Sequence, residues 1–257
     1  CALPISVTSN AGPDQVTCTS VVTMAGNNPA VGSGIWSKVS GGAANITLPT
    51  SPVTTITGLS AGTYVFRWTI TNGSCVSADD VQIVINPIPT VNVVSSQTVC
   101  KGDPTVSIIF SGAVAGTVYN WTNDTPSIGL LSSGSGNINS FTAMNAGNTT
   151  VIATITVTPE YTGGGITCFG SPRTFTITVN PKPSIQDEVV TICSGQNFLV
   201  NPQNGNGNIV PAGTTYTWSV APNPNVNGLY LNCSLTCSTI VSTLLTCCPP
   251  FPLLRAV

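Results

Sequence analysis

The chain repeats itself at a spacing of about 94 residues, which is too long for a solenoid unit and right for a small β-sandwich. Asn86-Pro87-Ile88-Pro89-Thr90-Val91 returns as Asn180-Pro181-Lys182-Pro183-Ser184-Ile185. Thr98-Val99-Cys100 returns as Thr191-Ile192-Cys193, and Gly116-Thr117-Val118-Tyr119-Asn120-Trp121 as Gly213-Thr214-Thr215-Tyr216-Thr217-Trp218. The expected organisation is three units in series: 1–86, 87–180, and a partial unit 181–257 that ends in a divergent cysteine-rich tail. Proline fixes its own φ and restricts the residue before it, so each Asn-Pro-x-Pro joint is a stiff connection. An elongated array follows.

Within each unit the apolar residues alternate with polar ones, the period of a half-buried strand. In the first unit the strands predicted are Val53–Thr57, Thr63–Ile70 and Val81–Ile85, with Trp36 on a middle strand. Tyr64, Phe66 and Trp68 share one face. Asn72-Gly73 supplies a tight turn, because both residues tolerate positive φ. In the second unit they are Thr90–Val99, Val106–Phe110, Val118–Thr122, Ile138–Phe141, Val151–Thr158 and Thr174–Val179. In the third they are Val189–Ile192, Phe198–Val200 and Thr215–Val220. Beyond about Asn227 the alternation stops. No window reads as an amphipathic helix, so the fold class expected is all-β: tandem immunoglobulin-like sandwiches.

Charge narrows the partners. With 6 Lys+Arg against 8 Asp+Glu, the chain has no basic excess with which to neutralise phosphates or an anionic membrane surface. Nucleic acid and membrane insertion are not expected as partners. Charged residues are only 5% of the chain, so little electrostatic repulsion opposes association between copies. Ten cysteines and no histidine suit an oxidising, extracellular or cell-surface location.

The first unit resembles a repeat module of very large secreted and surface proteins of bacteria. The stretches that carry the resemblance are Asn10-Ala11-Gly12-Pro13-Asp14-Gln15, Ala25-Gly26-Asn27-Asn28-Pro29, Gly34-Ile35-Trp36-Ser37, Gly58-Leu59-Ser60-Ala61-Gly62-Thr63-Tyr64, Phe66 to Gly73, and Asp79-Asp80-Val81. The second and third units resemble polycystic-kidney-disease-like (PKD-like) immunoglobulin-type modules, through 112–122 and 212–218. The resemblance spans about residues 5 to 227. It implies β-sandwiches with roles in adhesion, spacing or extracellular assembly, and no defined active site.

Candidate chemistry is sparse. Without histidine, Ser-His-Asp and Cys-His mechanisms are excluded, and neither enzyme activity nor a cofactor is expected. Cys18 with Cys75, and Cys100 with Cys168, are expected to be disulfides within the first and second units, pinning the first strand to the final hairpin. Cys193 is expected to pair with Cys233 or Cys237. Zinc in the tail, at Cys233, Cys237, Cys247 and Cys248, is disfavoured by poor spacing. Calcium at Asp79-Asp80 with Asp14 would lack oxygens. The sequons at Asn45, Asn72, Asn120, Asn123, Asn148 and Asn232 admit N-glycans. Recurrence of Trp36, Trp68, Trp121 and Trp218 at matching strand positions points to core packing, not sugar stacking. The function expected is a non-catalytic rod or fibre segment that self-associates, with strand complementation as one route; the rival is a carbohydrate-binding accessory module that contacts surface glycans.

Overall fold

The computed structural model describes residues 8–187, 197–200, 202–215 and 240–243. They form strands and loops, with one 3-10 turn at Pro126–Ile128. The buried apolar residues fall into two separate clusters, one drawn from Ala11 to Ile85 and one from Val91 to Val179.

The first module holds β1 (Gln15–Thr17), β2 (Val22–Thr23), β3 (Ser33–Ser40), β4 (Asn45–Ile46), β5 (Thr55–Thr57), β6 (Gly62–Asn72) and β7 (Cys75–Ile85). One sheet has the order β1-β7-β6-β3, and the facing sheet β2-β5-β4. Period-2 alternation sends Tyr64, Phe66, Trp68 and Ile70 of β6 inward beside Val81, Ile83 and Ile85 of β7. Met24 and Ile56 are buried in the same cluster. The Trp36 and Trp68 rings lie 5.1 Å apart, and their indole N–H groups donate to the carbonyls of Pro52 and Asn27. Trp68 lies so close over Gly34 that a side chain there would overlap its ring. Trp36 sits on the edge strand β3, not a middle strand, because β3 pairs only with β6 within its sheet. Tyr64 turns its hydroxyl back onto Ser60, donating to the carbonyl and accepting from the amide, in the manner of a tyrosine corner.

The second module holds β8 (Gln97–Cys100), β9 (Val118–Asn123), β10 (Ser133–Ser135), β11 (Val151–Gly163), β12 (Ile166–Phe169) and β13 (Arg173–Asn180). The main sheet runs β10-β9-β11-β13-β8, and β12 extends the β11 hairpin. Ala153, Ile155 and Val157 of β11 and Phe175, Ile177 and Val179 of β13 form the core with Trp121. Ile108, Phe110 and Ile138 close it from the other side.

The predicted strands Val106–Phe110 and Ile138–Phe141 are not regular ladders. Their backbones meet at the isolated bridges Pro104↔Thr142 and Ile108↔Ile138 and at the bond from Thr105 N to Phe141 O. Side chains substitute for the missing backbone partners: the Gln97 amide bonds both the N–H and the C=O of Val106, and Asn137 accepts from Phe110 N. The expected strand Thr90–Val99 shortens to β8, and Ser133–Ser135 and Ile166–Phe169 are strands that alternation missed.

In both modules the first strand is parallel to the last: Thr17 lies opposite Ile85, and Cys100 opposite Asn180. The first strand therefore ends where the chain leaves the module. In the third unit, β14 (Asn197–Val200) pairs antiparallel with β15 (Ile240–Thr243). β15 thus lies in the tail, beyond the point where the alternation stops. The predicted strand Val189–Ile192 and all but the first residue of Thr215–Val220 lie outside the described residues.

Candidate functional site: the joint between the first two modules

The β11–β12 hairpin reaches beyond its own sheet to the first module. Its two-residue loop is Gly164-Gly165, with φ of +55 and +79, the turn that matches a twisted hairpin. A Cβ on Gly164 would stand 3.0 Å from a methyl of Val16 in β1, so glycine permits the contact. Asn86 opens the Asn-Pro-Ile-Pro joint and is only 4% exposed. Its side-chain amide donates to the carbonyl of Gly163 at 2.8 Å and of Ile166 at 3.1 Å, while its backbone N–H donates to Thr17 O. The joint residue is thus bonded to both modules.

Beside it the modules are joined covalently. Cys18, just past β1, forms a disulfide with Cys168 of β12, across a sequence separation of 150. This corrects the pairing expected from sequence. Register places Cys18 beyond Ile85, ten residues along β7 from Cys75, or about 33 Å. Cys100 lies opposite Asn180 while Cys168 lies opposite Tyr161, about 36 Å apart along β11. A disulfide needs Cα atoms within about 7 Å, and those of Cys18 and Cys168 are 5.6 Å apart. Cys75 is disulfide-bonded elsewhere, and Cys100 is a free, exposed thiol. Cys193 and Cys233 lie outside the described residues.

The remaining candidates are scattered. Asp79 accepts from Ala11 N at 2.7 Å and Asp14 from Gln82 N at 2.8 Å, so both fasten the N-terminal segment to β7. Asp80, on the other face of β7, is held below the usual carboxylate range chiefly by its hydrogen bonds from Arg67. The three carboxylates do not converge, and no cluster fit to hold a metal occurs among the described residues. Asn45, Asn72 and Asn148 are exposed and Asn120 is half-buried. Asn123 is not accessible in the folded protein: it is 5% exposed, and its amide donates to Leu130 O and Leu131 O. Asn232 is outside the described residues. Trp36, Trp68 and Trp121 are buried, so they offer no exposed stacking platform. A hollow of about 490 Å³ along β9, β10 and β11 is lined by Asn120, Trp121, Thr122, Ser133, Gly134, Ser135, Thr156 and Thr158, none of them ionisable.

Asn86 and the hairpin tip went unrecognised in the sequence. The available signal was the order of the strands: a cysteine that closes a first strand parallel to the last one stands at the exit of its module.

The description of the K319L-like PKD domain matches residues 11–85, and that of a PKD-like domain matches residues 190–247. The chain is an array of PKD-like modules. The second match runs past Asn227, where the resemblance read from sequence ended. Among solved structures, the PKD domain from the KIAA 1837 protein is 28% identical, covering 34% of this chain and 92% of that one, with a TM-score of 0.30. An I-band fragment of titin is 10% identical over 93% of this chain and 86% of that one, with a TM-score of 0.44. The three N-terminal domains of the outer capsid protein Hoc of bacteriophage RB49 are 17% identical over 68% and 69%, with a TM-score of 0.43. No curated protein matches this PKD-like array at a significant level. No helix among the described residues is long and apolar enough to cross a membrane.

Proposed function

We propose that this PKD-like array is a non-catalytic, extracellular structural segment, a rod that holds distance and presents adhesive surfaces. The observation that carries the reading is the joint. A covalent bond, a buried amide and a glycine-tipped hairpin fix one module on the next. Fixing two cores that share no active-site residues serves spacing and load, not turnover. The disulfide suits an oxidising compartment. Self-association would use the neutral surface and the open sheet edges at β3, β8 and β10, and the hydroxyl-lined hollow is the surface that glycans would meet.

Small-angle X-ray scattering of the oxidised chain tests this reading. An extended particle is expected, and Cys18→Ser with Cys168→Ser should broaden its distance distribution. A compact globule would end the proposal. Electron microscopy showing single particles at high concentration would remove self-association and leave the spacer.

A further inference from the structure

We infer that tension along this chain passes through the Cys18–Cys168 bond, so that residues 19–167 between the two cysteines stay outside the covalent load path. The inference rests on the structural reading only in that it needs the array to be pulled in use. The path itself follows from connectivity.

The N-terminal segment runs the length of the first module beside β7. Ser9 bonds Ser77, Ala11 bonds Asp79, and Gln15–Thr17 pair with Ile83–Ile85. It arrives at the joint as Cys18. There the disulfide crosses to Cys168, in a hairpin strand whose neighbours touch the first module. From Cys168 the chain enters β13, whose first residue Arg173 pairs with Val157 and whose Val179 pairs with Val151. That direction carries it away from the joint, to Asn180 and the second Asn-Pro-x-Pro.

The shortest covalent route through the pair is therefore two strands laid end to end, β1 and β13, linked by sulfur. Residues 19–167, which include β2 to β11, hang off this route as a closed loop. Pulling along the route loads β1 against β7, and β13 against β11 and β8, parallel to the strands. The bonds of the antiparallel β13–β11 ladder run perpendicular to the strands, and those of the parallel β1–β7 and β13–β8 ladders are slanted but evenly spaced, so each ladder meets such a load in shear instead of opening bond by bond. Even when both strands give way, the loop cannot lengthen the chain.

Single-molecule force spectroscopy on the full chain, with handles at its two ends, tests this. Cys75→Ser is carried in both arms, so that the Cys18–Cys168 pair is the cross-link that differs. Complete unfolding of the variant that adds Cys18→Ser and Cys168→Ser should release about 500 Å more contour than the disulfide-bonded arm, taking about 3.4 Å per residue. Equal lengths in the two arms would overturn the inference. If the triple variant does not fold, the Cys75→Ser protein is held at constant force and dithiothreitol is added. The reductant cleaves the disulfide to two thiols and is itself oxidised to its cyclic disulfide. A single step of about 500 Å is expected, and its absence would overturn the inference. A compact particle by scattering, together with the 500 Å difference, would end the spacer reading and leave the load path standing.

Discussion

The two Asn-Pro-x-Pro joints have nearly the same sequence and different surroundings. Asn86 is buried, and its amide bonds two carbonyls of the following module. Asn180 is half-buried, and its side-chain oxygen accepts from Thr150 within its own module. Cys18 and Cys100 hold equivalent posts at the exits of their modules, yet one is bonded across the joint and the other is a free thiol. Prolines restrict a linker in both places, but what fixes the first joint comes from residues about 80 positions further along the chain. Stiffness here is tertiary.

The sharpest way to break this comparison is chemical. Alkylation of the native protein without reductant should label Cys100 and leave Cys18 and Cys168 untouched, and peptide mapping should recover the Cys18–Cys168 cross-link. A Cys18–Cys75 or Cys100–Cys168 peptide would reverse the contrast between the joints.

Cys18→Ser with Cys168→Ser should lower the stability of the first two modules by about 5 kcal/mol on the chain-entropy model for a loop of this size. Urea unfolding measures it; a loss under 1 kcal/mol would show that the joint does not rely on the bond. Asn86→Ala strands two carbonyls and should cost about 2 kcal/mol, whereas Asn180→Ala, losing one exposed contact, should cost under about 1 kcal/mol. Equal costs would mean that the two asparagines do the same work.

The smallest effect separates the joint from the module. Asp124 is held below the usual carboxylate range, first by the Thr154 N–H and then by the Thr125 hydroxyl. A carboxyl with a depressed folded pKa stabilises the fold when ionised, and that contribution disappears as pH falls below about 4. Neither the disulfide nor the Asn86 amide titrates there. Acid should therefore weaken the second module slightly while the joint persists, and Asp124→Asn should flatten this part of the pH–stability curve. An unchanged slope would remove Asp124 from the account.

Much of the architecture was legible because alternation is local. The Tyr64-x-Phe66-x-Trp68 face and the long β11 run read directly as half-buried strands. Where side chains replaced ladder bonds, alternation misled: Val106–Phe110 and Ile138–Phe141 are packed like strands but bonded through Gln97, Thr105 and Asn137. Ser133–Ser135 was illegible because it carries no apolar residue, and is a strand only through its pairing with β9. Cys18, Cys75 and Cys168 were legible as disulfide-formers but not as pairs, since four cysteines permit several connectivities, and Cys100, expected to be bonded, is a free thiol.

By itself the sequence determined that the chain is β, modular and nearly uncharged, with prolines restricting its linkers, because composition, period-2 patterning and proline act through neighbours. Only the tertiary structure decided which cysteines meet and what Asn86 holds. Both depend on the parallel pairing of first and last strands and on a hairpin that overshoots its own sheet. Such contacts join residues 150 positions apart, and no local preference encodes them.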